Sequence, residues 1–386
     1  MSTFTENLRF EIAPLLRGLT FDGKQGLIVR QSSGKAVDLE LTGVTAGDSI
    51  TEKVAQWRAS FAEYTQKNRL WPAVVGFRGS DLQFGLGTNY DEAVRATGVS
   101  MVVGLPPTWN RDDVVRDKVV IVTGGAQGFG EGMVRSLVEH GALVWIADRN
   151  LEGAEQLAAE LNFEACITVA KAVAVDVTSE DSVQAMMQTV VAESGGVDLF
   201  ISNAGVLRSG SVKTMTLSDF QFVTDVDYTG FFICTKFAAQ VMALQNMPNG
   251  SYYSDIITIS SKSGLEGSNK NGAYAGAKFG TIGLTQSFAL ELIEDNIKVN
   301  AVCPGNFLDG PLWSDPKQGL FVQYLAAGKV PGAKTVEDVR RSYESKVPMG
   351  RGCDTEDVMK AILYIVEQTY ETGQAVPVTG GQVMLS

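Results

Sequence analysis

Between Lys118 and His140 a strand, a glycine-rich turn and a helix follow one another without interruption, and few patterns restrict a fold so tightly. The run Lys118-Val119-Val120-Ile121-Val122-Thr123 is short, apolar and β-branched, as a strand buried on both faces requires. It gives way to Gly124-Gly125-Ala126-Gln127-Gly128-Phe129-Gly130 and then to a helix-period stretch from Glu131 to His140. Glycines at 124, 128 and 130 let the backbone turn tightly and bring a helix N-terminus against a pyrophosphate. A second strand from Ala142 to Ala147 ends on Asp148, 18 residues past Gly130. A carboxylate there accepts hydrogen bonds from an adenosine ribose and repels a 2′-phosphate, so NAD is favoured over NADP as cofactor. Arg149 beside it is the opposing signal, since an arginine can pair with that phosphate.

The alternation continues towards the C-terminus, with strand candidates at Ala172–Val175, Leu199–Ser202, Ile256–Ile259, Lys298–Val302 and near Ala375–Val378. Strands alternating with helices predict an α/β fold, a doubly wound parallel sheet with helices on both faces. The ligand crevice of such a sheet lies at the strand carboxyl ends, where Gly128, Asp148, Asp176, Asn203, Ser261 and Pro304 all fall.

One further spacing carries chemistry. Tyr274 follows Ser261 by 13 residues, and Lys278 follows Tyr274 by four. Four residues on a helix place two side chains on one face, so an ammonium sits below a phenol and favours its ionised form. Tyr274 is thereby a candidate general base, and a serine hydroxyl from a neighbouring strand end is placed to polarise the same substrate oxygen. The spacing favours Ser261, with Ser260 and Ser263 as the competing hydroxyls.

Taken together these residues resemble the short-chain dehydrogenase/reductase family, over roughly Asp117 to Ser386. The loop from Thr123 to Gly130, with Gln127 and Phe129 inside it, is similar to the family's phosphate-binding signature, and Ser261, Tyr274 and Lys278 match its catalytic positions. The resemblance further implies an adenine contact at Asp176-Val177, a strand-end motif at Asn203-Ala204-Gly205 and a turn beside the nicotinamide at Pro304-Gly305. It implies a Rossmann-type fold, hydride transfer between a nicotinamide and a secondary alcohol, a nicotinamide ribose bound by Lys278, and a homodimer or homotetramer. Segments such as Ser261-Lys262-Ser263-Gly264, Lys346-Val347-Pro348 and Val378-Thr379-Gly380-Gly381-Gln382-Val383-Met384 resemble members acting on hexitol phosphates, and equally dehydrogenase halves of deoxysugar-breakdown proteins. The expected substrate is a polyol or sugar alcohol phosphate, with a small carbohydrate such as lactaldehyde as the alternative.

Two positions depart from the family pattern. Asp227 stands where an asparagine usually holds a water beside the lysine, and it is expected to complete a proton relay while its charge opposes phenolate formation. Asp309 stands where a threonine often contacts the nicotinamide amide. These departures feed a rival reading, a cofactor-binding protein without catalysis.

Residues 1–112 precede the dehydrogenase pattern and read as a small mixed α/β module, followed by the dehydrogenase at 113–386 with a lid insertion at about 306–348. In the module, Gly26–Arg30 and Ala36–Leu41 flank Ser32-Ser33-Gly34-Lys35 as a hairpin, and Val54, Trp57, Phe61 and Tyr64 form one face of a helix from Ile50 to Leu70. Val74–Phe77 and Ser100–Val103 are strand candidates, and Pro106-Pro107 marks a linker. The module is assigned a packing, oligomerisation or lid role rather than a second active site, with docking onto another protein as the alternative. The lid carries Trp313, Phe321, Tyr324, Lys329, Lys334, Arg340, Arg341 and Lys346 and is expected to set substrate choice. A substrate phosphate would need a cation, for which Arg208, Lys262, Lys270 or a lid lysine is available; otherwise these are solvated surface charges.

The net charge of −12 excludes nucleic acid and anionic membrane as natural partners. No apolar run is long enough to span a bilayer, and Met1-Ser2-Thr3-Phe4-Thr5-Glu6 does not read as a signal peptide, so a cytoplasmic location is expected. Four scattered cysteines and a single histidine, His140, indicate no disulfide framework, no metal site and no histidine triad.

Overall fold

The computed structural model describes residues 6–23, 25–44, 48–96, 99–100, 114–317, 319–326, 328 and 330–384. The N-terminal part contains α1 (Glu6–Leu19), β1 (Ile28–Ser32), β2 (Leu39–Leu41), α2 (Ile50–Asn68), β3 (Leu70–Trp71), β4 (Val74–Phe77), β5 (Gln83–Gly87), α3 (Tyr90–Arg95) and β6 (Val99–Ser100). Val54, Trp57 and Phe61 are the buried residues of α2, the spacing that its sequence shows. The expected hairpin does not form. The sheet order is β1-β5-β4-β2, so the two segments lie at opposite edges. The cause is local to Asp38: its carboxylate accepts the amides of Ala73 and Val74 at 2.9 Å each, and its own amide donates to Val74. These bonds tie β2 to β4 in parallel, while β1 pairs antiparallel with β5. Residues 101–103 and the Pro106-Pro107 linker lie outside the described residues.

From Val119 onward one seven-stranded sheet forms from β7 (Val119–Thr123), β8 (Leu143–Asp148), β9 (Ala170–Ala174), β10 (Leu199–Ser202), β11 (Ser254–Ile259), β12 (Ile297–Pro304) and β13 (Ala375–Val378). The order is β13-β12-β11-β10-β7-β8-β9 and every pairing is parallel, the Rossmann-type arrangement the alternation predicts. Successive residues of β7 enter opposite cores: Val119 and Ile121 one, Val120 and Val122 the other. Helices α4 (Gly128–Glu139), α5 (Leu151–Ala165) and α13 (Thr355–Glu367) close one face, and α6 (Glu180–Ser194), α8 (Gly230–Asn246) and α9 (Gly272–Leu292) the other. The helix after the glycine turn starts at Gly128, three residues earlier than its apolar period indicates, because the last two glycines already belong to its first turn. Short α7 (Leu217–Thr224) precedes α8, and α10 (Pro311–Ser314), α11 (Leu320–Ala326) and α12 (Val336–Glu344) make up the insertion after β12. Among the described residues no helix is long and apolar enough to cross a membrane.

The N-terminal module shares a core with the sheet, since Ile12, Leu15, Val29 and Phe84 belong to the same buried cluster as Val119, Phe200 and Met242. It packs on α6 and α8, and its polar contacts fall at the strand amino ends. Arg17 of α1 is fully buried and meets Asp198, the residue before β10, at 2.6 Å. Asp91 accepts the amide and hydroxyl of Thr168 ahead of β9. Glu193 on α6 gathers Arg30, Tyr90 and Lys171. This is the end of the sheet opposite the crevice.

Candidate active site

A cavity of about 920 Å³ lies along the strand carboxyl ends. Its dinucleotide end is built by the loop joining β7 to α4. Gly128 has φ +61°, and a Cβ on Gly130 would overlap the carbonyl oxygen of Gly124, so this turn admits only glycine at both places. Asn203 clamps the loop, donating from Nδ2 to the carbonyls of Thr123 and Gly124 at 3.0 and 3.1 Å. In return Thr123 Oγ1 accepts the amides of Asn203 and Ala204. Asp148 Oδ2 accepts the Ala126 amide at 3.0 Å and Oδ1 that of Asn150 at 2.9 Å, which leaves carboxylate lone pairs facing the cavity. Arg149 lies 3.8 Å from Asp176, whose carboxyl is held below its ordinary value chiefly by the Thr178 hydroxyl. Gly124, Gln127, Phe129, Val177, Ala204, Gly205 and Gly305 line the same cavity; Pro304 does not. A cradle that a single Cβ would fill, with an acid at its ribose end, fits a dinucleotide.

At the other end the wall is formed by Ser261, Lys262, Ser263 and Tyr274, with Ser209, Asn269, Lys270 and Asn271. Ser261 caps the short 3-10 turn Lys262–Gly264, and its Oγ accepts the Ser263 amide at 3.1 Å. Its hydrogen is thus free to point at a substrate oxygen. Ser260 is buried and donates to the Lys278 carbonyl at 3.1 Å, which removes it from the competition; Ser263 lines the cavity but is largely buried.

Lys278 lies one turn below Tyr274, its Nζ 5.6 Å from the ring centroid, and donates to the Ile259 carbonyl at 3.0 Å. Asp227 Oδ2 stands 3.5 Å from the same nitrogen. Burial disfavours the ammonium, but Asp227 first and Tyr274 next outweigh it, and the Lys278 pKa is raised. For Asp227 burial dominates and pushes its carboxyl up, with Lys278 and the Val206 amide offsetting part of the rise. Asp227 sits in a π-turn, Asp225–Thr229, between α7 and α8, and its Oδ1 accepts the Val206 amide at 2.7 Å. Asp227 is buried beside Lys278 and does not line the cavity, so it faces the lysine and not the cleft. Lys278 is likewise behind the wall, close to Gly205, which does line it.

Arg208 is also outside the lining. Its guanidinium faces Asp219 at 4.0 Å and lies over the Phe222 ring, drawn there by charge and by the ring face. Asp309 turns to Arg340 at 2.6 Å and is absent from the cavity wall, so the second departure serves the insertion's own structure. That insertion has a small core of Leu308, Trp313, Leu320, Phe321 and Val339. Arg340 and Arg341 pair within it, Lys346 lies over Tyr343, and Lys329 falls outside the described residues. Its aromatic wall was only partly visible in sequence: Phe307, stacked on Phe129 at 4.3 Å, and Tyr343, 4.8 Å from Trp313, belong to no motif, and only their placement reveals them.

A glycine-cradled dinucleotide cleft that ends on a serine and a lysine-backed tyrosine defines an oxidoreductase acting on CH–OH groups. The family model described as short chain dehydrogenase matches residues 118–315, and this chain belongs to that family. It is 37% identical over 270 residues to sorbitol-6-phosphate 2-dehydrogenase of Escherichia coli (strain K12), covering 69% of this chain and 99% of that protein. It is 31% identical to trans-4-hydroxycyclohexanecarboxylate dehydrogenase of Sinomonas cyclohexanicum, covering 70% and 94%. The crystal structure of sorbitol-6-phosphate 2-dehydrogenase from Erwinia amylovora superposes with a TM-score of 0.64 at 36% identity, covering 69% of this chain and all of that one. The family's cofactors are nicotinamide dinucleotides.

Proposed function

We propose that this protein is an NAD-dependent dehydrogenase that oxidises a secondary alcohol of a polyol or polyol phosphate, or runs the reverse reduction. The observation that carries the reading is that one cavity holds Ser261 and Tyr274 at one end and the glycine cradle with Asp148 at the other. The likeness to sorbitol-6-phosphate dehydrogenases supports the substrate class. When bound, NAD supplies the hydride acceptor. Tyr274 takes the hydroxyl proton at its oxygen, Ser261 donates a hydrogen bond to the same substrate oxygen, and the Lys278 ammonium stabilises the charge left on the tyrosine. Asp227 and the Ile259 carbonyl hold that ammonium in place. Trp313, Tyr324 and Tyr343 give the substrate an apolar wall that excludes water.

NAD is favoured over NADP because Asp148 faces the cavity and holds the end of the second strand, while Arg149, which lines the cavity too, has Asp176 3.8 Å away. Replacing Asp148 with Asn removes the charge but keeps a group of the same shape. The ratio of kcat/KM for NADP to that for NAD is expected to rise at least about 10-fold, roughly the effect of removing one repulsive charge from a specificity site. An unchanged ratio would place the ribose elsewhere.

The direct test is NADH production from NAD with a panel of hexitols, their 6-phosphates, and propanediol. Oxidation of a hexitol or its phosphate is the expected result. Turnover of propanediol alone would replace the polyol reading, and no turnover on any alcohol, with NADH still bound, would favour a binding protein.

A further inference from the structure

We infer that Lys270, with Lys262 on the same cavity wall, forms the binding site for a phosphate monoester group carried by the substrate. The inference rests on the reading of this cavity as an alcohol dehydrogenase site and names what holds the far end of its substrate. Both lysines line the cavity at the Ser261 and Tyr274 end, away from Asp148 and Asp176 at the dinucleotide end. The other cations near the site each have a carboxylate within reach: Arg149, which lines the dinucleotide end, is 3.8 Å from Asp176, Arg208 is 4.0 Å from Asp219, and Arg340 bridges Asp309 and Glu344. Among the described residues neither Lys262 nor Lys270 has an ion-pair partner, and no acid lines the wall beside them. In a chain of net charge −12, two lysines on one cavity wall with no ion-pair partner make that end of the cleft locally positive.

The backbone at Lys270 is built to hold this position. Its φ is +57°, in the left-handed region that a residue with a Cβ enters only at a cost. The conformation is pinned from the facing loop, where the Ser209 hydroxyl and the Gly210 amide both donate to the Lys270 carbonyl, at 2.9 and 2.8 Å. α9 begins two residues later without a side-chain cap, so the first-turn amides add to the positive potential. Two cations with Ser268 and Asn269 beside them suit a dianion with three acceptor oxygens better than a single carboxylate.

Two measurements test this separately from the polyol reading. The first is calorimetric titration of the NADH-loaded protein with ethyl phosphate, which has no oxidisable secondary alcohol. Wild type is expected to bind it; Lys270→Ala should weaken binding about 10-fold and the Lys262→Ala/Lys270→Ala pair about 100-fold, with Lys270→Arg retaining most of it. The second is the ratio of kcat/KM for a hexitol 6-phosphate to that for the free hexitol, expected to fall about 10-fold in Lys270→Ala through KM. Binding of ethyl phosphate that is undetectable in wild type, or equal in wild type and the double variant, overturns the site. So does a ratio that does not move. Loss of ethyl phosphate binding in the variants of a protein that oxidises no polyol would leave the lysine site standing and sink the polyol reading instead.

Discussion

Replacing Tyr274 with phenylalanine is expected to lower kcat by about 10²–10⁴-fold, the range that a positioned general base contributes. Among the described residues the Tyr274 hydroxyl has no hydrogen-bond partner in the protein, so its removal leaves no buried group unsatisfied and the fold should be unaffected. The ring also stays, packed with Val223, Ala273 and Ala277 and still above Lys278. The loss should therefore appear in turnover while NADH affinity, read by fluorescence titration, stays within about 3-fold. Ser261→Ala should lower turnover by a smaller factor, since it removes a hydrogen bond to the substrate oxygen and not the proton acceptor. A Tyr274→Phe protein within 10-fold of wild-type kcat would end the assignment of the base.

The largest expected loss of stability comes from the opposite end of the sheet. Arg17 and Asp198 are both fully buried, and Asp198 also accepts the Val119 amide, the Gln245 side-chain amide and the Tyr252 hydroxyl. Arg17→Ala leaves this carboxylate without its cation. Breaking one partner of a buried pair costs about 3–5 kcal/mol, read as a lower midpoint in urea denaturation. The half-buried Arg30–Glu193 pair supplies the internal contrast, because Arg30→Ala should cost no more than about 1 kcal/mol. Equal effects of the two substitutions would mean that the module is not anchored through Asp198. The pH dependence has a definite sign. Burial pushes the Asp198 carboxyl up, but Arg17 above all, with Lys118, Tyr252 and the Val119 amide, overrides it and holds it below the usual carboxylate value. A depressed folded-state value contributes stability above the unfolded carboxylate pKa, near 4, and that stability is lost as pH falls through the folded value. Arg17→Ala should flatten this acid limb.

The anchoring shows where sequence reasoning stops. Arg17 is an arginine in a short amphipathic helix, indistinguishable in sequence from a solvated one, and its partner lies 181 positions away. The same holds for Asp227. Its identity departs from the family pattern, but its burial and its placement against Lys278 depend on the π-turn that carries it. The N-terminal strands failed for a related reason. Ser32-Ser33-Gly34-Lys35 has the composition of a hairpin turn, yet the hydrogen bonds of Asp38 to the start of β4 decide the pairing.

What the sequence determined by itself was mostly what a repeated period or a backbone requirement governs. The strands of the sheet follow from short apolar runs alternating with helical periods, the dinucleotide cradle from glycines whose backbone leaves no room for a Cβ, and the Tyr274–Lys278 stacking from the pitch of one helix. Tertiary structure alone decided which charges came within reach of a partner. Arg149, Arg208 and Arg340 found carboxylates, whereas Lys262 and Lys270 did not. The reason is physical: a salt bridge depends on distance in space, falling off within a few ångströms, and the chain order of two residues carries no information about it unless a helix or strand already fixes their separation.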